Sequence, residues 1–133
     1  MTPKRIRPKI VQGETIVMDS PCGKLYVTIN DDPLTGSILE IFVRFGKSGT
    51  CGSLVANALT IITSYGFRSG MDVGDAIKAL IGHGCHRSPV FDLDGERIIS
   101  CVDAIGKAIR LHAGVESEVC DSESDGLVPI PDI

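Results

Sequence analysis

Residues 39–65 read LEIFVRFGKSGTCGSLVANALTIITSY: an apolar run, a glycine-rich turn, and a long apolar stretch that follows without a break. No other segment restricts the fold as much. Phe42, Val43 and Phe45 favour a pleated strand, Gly46, Gly49 and Gly52 let the backbone turn, and from Leu54 the apolar residues recur at helical spacing. A strand that passes straight into a helix leaves the first helical N–H groups at the turn, without intrahelical partners. Lys47 and the hydroxyls of Ser48, Thr50 and Ser53 lie among them. A positive dipole end, unpaired N–H groups and a cation together suit a phosphate or carboxylate. The G-x-x-x-x-G-K-[ST] spacing of a Walker loop is absent, and an ordinary strand-to-helix turn is the competing interpretation.

The rest of the chain reads as packing around this unit. Strands are expected at residues 14–19, 24–30 and 38–45; in the second, Leu25, Val27 and Ile29 alternate with Tyr26 and Thr28 at the period of a half-buried strand. A first helix is expected over 53–65 and a second from Asp72, with Val73, Ala76, Ile77, Leu80 and Ile81 as its apolar face. A small hairpin is expected around Asp94-Gly95, and a third helix is capped by Ser100 with Asp103 three residues on. At 133 residues this makes one α+β domain, an antiparallel sheet of about three strands packed against about three helices. Residues 1–13 form a basic N-terminal arm, 14–113 the domain, and 114–133 an acidic tail.

Hydrophobic residues make up 43% of the chain but aromatics only 5%, so the core is aliphatic. The first helix is apolar nearly all round, with a narrow polar stripe of Ser53, Asn57, Thr60 and Ser64. Its second side should therefore be covered by the later helices or by another subunit, which predicts a homo-oligomer. Asn57, Thr60, Thr63 and Ser64 break the longest apolar run, and the basic start lacks the apolar core of a secretory signal. A cytoplasmic protein without a membrane span is expected. A net charge of −4 argues against general nucleic-acid binding. Lys4, Arg5, Arg7 and Lys9 face an acidic tail of Glu116, Glu118, Asp121, Glu123 and Asp125, and the two ends either attract each other or are solvated arms. Five cysteines, an odd number, do not make a disulfide framework.

Cys22, Cys51, Cys85 and Cys101 each fall at a turn or a helix start. With His83 or His86 they offer zinc ligands, and as thiols a redox pair; no C-x-x-C or H-x-x-x-H spacing supports either, and small buried residues are the plainer account. His86 and Arg87 offer the cationic half of a nucleotide site, the ring stacking on a base and the guanidinium on phosphate, with His83 as an alternative ring and Arg44 and Arg68 flanking the central helix. The candidate ligand-binding set is thus Arg44, Gly46, Lys47, Ser48, Gly49, Thr50, Ser53, His86 and Arg87. No acid–base constellation or Ser-His-Asp arrangement emerges, so no catalytic residue is assigned and a non-enzyme is expected.

The order GKLYVTIN, EIFVRFGKSGTCGS, RSGMDVGDAIKALIGHGC and ISCVDAIGKAI closely resembles the TSCPD domain found near the C-terminus of adenosylcobalamin-dependent (class II) ribonucleotide reductases and in small free-standing proteins. The resemblance runs from about Cys22 to Leu111. Where the family motif is Thr-Ser-Cys-Pro-Asp, this chain has Ile99-Ser100-Cys101-Val102-Asp103, with valine in the proline position. The catalytic barrel of those reductases does not fit in 133 residues, so reduction itself is not transferred. The resemblance implies a binding module: a reductase-associated accessory for a separate catalytic chain, or a protein that sequesters a nucleotide signal, as small viral proteins that blunt host signalling do. The alternative is a structural or protein-interaction domain, with or without zinc.

Overall fold

Three strands, β1 (Gln12–Met18), β2 (Leu25–Asp31) and β3 (Ile38–Phe45), pair antiparallel in chain order in the computed structural model, which describes residues 4–46 and 51–114, with the backbone alone at Cys51. Val27 stands opposite both Ile16 and Val43, and this register puts Leu25, Val27 and Ile29 on one face with Ile41, Val43 and Phe45. Leu25, Val27, Ile29 and Ile41 are fully buried there. The β1–β2 turn is closed by reciprocal backbone bonds between Ser20 and Gly23, and the β2–β3 turn by Asp32, whose carboxylate accepts the Leu34 N–H at 2.9 Å.

Helix α1 (Cys51–Arg68) runs beside β3, longer at both ends than the expected 53–65. Its polar stripe is split between two environments, with Asn57 exposed and Ser53 half-buried. Thr60 and Ser64 are buried, with Thr63, whereas Leu54, Val55, Ile61, Ile62 and Tyr65 are at least half exposed. The reason lies in the strand it borders. Ile41 turns its backbone away from β2, and the Ser64 hydroxyl accepts the Ile41 N–H and donates to the Ile41 carbonyl, both at 2.9 Å. A buried strand edge needs polar partners, and a serine on the facing helix supplies both. Thr60 and Thr63 bond their own helix, to the carbonyls of Asn57 and Leu59.

Helix α2 (Val73–Leu80) is capped by Asp72 and followed by a small hairpin, β4 (Val90–Phe91) and β5 (Arg97–Ile98). Helix α3 (Cys101–Ala113) closes the core: Ala104, Ile105, Ala108 and Ile109 are buried in one cluster with the apolar face of β1 and β2. Gly106 is where α2 meets α3, since a Cβ there would lie 2.8 Å from Ile81 and 3.0 Å from the Ile81 backbone nitrogen.

The basic segment before β1 is bonded to the domain. Arg5 reaches Asp32 at 2.6 Å and the Phe67 carbonyl at 2.7 Å, while Arg7 makes a two-pronged pair with Glu40 at 2.8 and 3.0 Å. Glu40 also accepts from Asn30 and is only 3% exposed. Burial pushes its pKa up, but the bonds from Arg7 and Asn30 outweigh that and hold it below the ordinary value. The acidic residues 116–125 of the tail lie outside the described residues. No helix among the described residues is long and apolar enough to cross a membrane.

Candidate functional site

The starts of α1 and α3 meet at the β1–β2 turn. Ser100 caps α3, its hydroxyl accepting the Asp103 N–H at 2.9 Å and donating to the His83 carbonyl. Asp103 is fully buried and accepts from the Gly82 N–H at 2.9 Å, the Ile99 N–H at 3.1 Å and Lys107 at 2.7 Å. Its charge is thereby matched by a cation and two amides, so it fastens the α2–β4 loop to α3 instead of facing a substrate. Between Ser100 and Asp103 in the chain sits Cys101, buried, with its side chain beside that of half-buried Cys22. Burial, and then the Cys22 neighbour, push the Cys101 pKa up to about 11; the N–H groups of Val102 and Cys101 favour the thiolate and offset part of this. Cys22 in turn borders α1, its Sγ 3.6 Å from where a Cβ on Gly52 would lie.

A model of the TSCPD domain family matches residues 1–113. The chain belongs to the TSCPD domain family. No curated protein and no solved structure matches it. The corner just described is the family motif made physical. Its serine is the cap, its aspartate the buried fastening, and its cysteine one half of the thiol contact. Val102, in the proline position, is the second residue of α3 and keeps an N–H that proline would lack, which here lies against the Cys101 sulfur.

The expected ligand-binding residues of this TSCPD domain fall into two groups. Arg44 is exposed near the end of β3, its guanidinium 5.4 Å from the Tyr26 ring, and Gly46 donates its N–H to the Lys24 carbonyl at 3.0 Å. Ser53 is half-buried in the first turn of α1. Lys47, Ser48, Gly49 and Thr50, together with the side chain of Cys51, lie outside the described residues. His86 and Arg87 are exposed on the α2–β4 loop. That loop is tied to the α3 start through the Cys85 N–H, which bonds the Ile99 carbonyl at 3.1 Å. Arg68, the further flanking candidate, is occupied by the Arg5 carbonyl. Among the described residues, no three His, Cys, Asp or Glu side chains are grouped to hold a metal ion.

A second polar cluster at the opposite end of β2 went unread in the sequence. The His112 ring, at the last turn of α3, is wedged between Glu14 at 2.5 Å and Asp31 at 3.0 Å. Burial lowers its pKa, but the bonds the ring donates to the Asp31 and Glu14 carboxylates prevail and raise it above 6.5. Both ring nitrogens are engaged, so the ring acts as a clamp. A cleft of about 590 Å³ lies beside it, lined by His112, Glu14, Asp31 and Asp32 among others. Three carboxylates make that lining a poor host for phosphate.

Proposed function

We propose that this TSCPD domain is a cytoplasmic, non-catalytic module that binds a nucleotide or related phosphate-bearing molecule at the start of α1. One observation carries the reading. Helix α1 is 18 residues long and has no acidic residue in its first turn, whereas α2 and α3 each carry one, Asp75 and Asp103, beneath a side-chain cap. In α2 and α3 the positive end is answered within the chain, and in α1 Lys47 precedes it instead. Arg44 adds a cation on the preceding strand. Gly46 is excluded as a donor by its bond to the Lys24 carbonyl.

The test is a thermal-shift screen against ATP, pyrophosphate and cyclic nucleotides, since a ligand that binds only the folded form raises its melting temperature. Lys47→Ala should weaken the best ligand by ~1 kcal/mol or more, about fivefold in Kd, as a charged hydrogen bond is lost. An unchanged titration curve refutes the site. Recovery of a ribonucleotide reductase subunit in a pull-down supports the accessory role; tight binding of a cyclic or ADP-ribose-like ligand without turnover supports sequestration.

A second reading, a protein-interaction domain, is favoured by the outer face of α1. Leu54, Val55, Ala58, Ile61, Ile62 and Tyr65 form one exposed stripe, and residues 51–67 carry no charged side chain. A continuous apolar stripe of this kind marks an association surface and suits a second copy of itself, with Lys4 bordering it at Tyr65, its Nζ 4.3 Å from the ring centre. The two readings are compatible, since they use different parts of the helix.

A further inference from the structure

Three segments distant in the chain converge on one sulfur. Cys22 sits in the closed turn between β1 and β2, Cys101 opens α3, and Gly52 opens α1 within van der Waals reach of the Cys22 Sγ. The cap and fastening at Ser100 and Asp103 hold Cys101 in place, and the Ser20–Gly23 bonds hold Cys22. The Cys22 side chain is thereby a hydrogen-bonding neighbour of Cys101, each held in a bonded turn or helix start. Their exposure differs: Cys22 is half-buried, whereas Cys101 retains 7%.

We propose that Cys22 and Cys101 form a reversible dithiol–disulfide pair that exchanges with small disulfides of the glutathione type. Cys22 is the attacking thiol because it is the one an incoming disulfide can reach. Its thiolate bonds to one sulfur of the small disulfide, the S–S bond breaks, and the first small thiolate leaves and takes up a proton. Cys101 then gives up its proton and attacks the Cys22 sulfur, breaking the mixed disulfide and releasing the second small thiol. Two protein thiols are oxidised and one small disulfide is reduced to two thiols. The resting chemistry favours this order. Burial and the facing Cys22 thiol both hold Cys101 protonated, but once Cys22 is capped its thiol is gone. The N–H groups of Cys101 and Val102, which favour the thiolate, then act with less opposition. A reducing cytoplasm keeps such a pair as thiols until oxidant rises, which fits a sensing role.

The test is to equilibrate the full chain with a series of oxidised-to-reduced glutathione ratios, quench with acid, alkylate, and map peptides without reduction. The expected product is a Cys22–Cys101 cross-link with two hydrogens lost in mass, while exposed Cys85 forms no internal cross-link. Cys101→Ser should trap glutathione on Cys22, and Cys22→Ser should leave Cys101 unmodified in the folded protein. Recovery of both cysteines as free thiols at every ratio overturns the proposal, as does a cross-link from Cys22 to Cys51 in its place. The wild-type map alone decides between these outcomes, should either variant fail to fold.

Discussion

Two residues show how closely the fold is set by single side chains. Gly106 has no room for a Cβ, because the nearest atoms include the backbone nitrogen of Ile81 and not only flexible side-chain ends. Gly106→Ala should therefore push α2 off α3 and destabilise the domain by ~1–3 kcal/mol, read as a lower urea midpoint at unchanged slope. His112 sets a pH dependence. Its pKa is raised in the folded state, so the stability it contributes is fully present below pH 6.5 and is lost as pH rises through the raised value. Glu14 and Asp31 are the charges bonded to the ring, with Asp32 across the cleft. The melting temperature should fall across that window, and His112→Gln should flatten the fall; an identical slope in both proteins would refute the clamp. Glu40 and Asp32 act on the acid side. Both have lowered pKa values, so their contribution is lost as pH falls through them.

At the scale of elements, β2 and β3 were legible because a sheet with one buried face leaves an alternating trace, and Leu25, Val27 and Ile29 carry it. The caps at Asp72 and Ser100 were legible for a similar reason, as local chemistry within a few residues. The face of α1 was not. A polar stripe on an apolar helix ordinarily marks the wet side, but here Ser64 is buried because it completes the open edge of β3, a demand that appears only once the two elements are adjacent. Ser64→Ala would leave the Ile41 N–H and carbonyl without partners and should cost ~1–3 kcal/mol, checked by denaturant unfolding. The outer face makes the complementary prediction. Ile62, 67% exposed, contributes little to the monomer core, so Ile62→Glu should preserve the melting temperature of the folded chain while shifting light scattering from oligomer to monomer. A monomeric wild type would remove the association reading.

For the whole molecule, the groups with the most chemistry join segments that no local pattern connects. Cys22 meets Cys101, His112 meets Glu14 and Asp31, and Arg5 meets Asp32 and Phe67. Sequence marks each cysteine as a residue at a turn or helix start, yet only the antiparallel sheet with α3 packed on it pairs two of them. The family motif follows the same logic, since its serine, cysteine and aspartate all lie at the junction of elements. The beginning of α1 differs from the starts of α2 and α3 in having no acidic residue in its first turn. Backbone amide spectra of the ¹⁵N-labelled protein, titrated with ATP and with pyrophosphate, test this most directly. Saturable shifts should centre on residues 47–53, with Gly82, Ile99 and Asp103, whose amides are already bonded within the chain, left in place. Shifts confined to another surface, or none at all, would contradict the account.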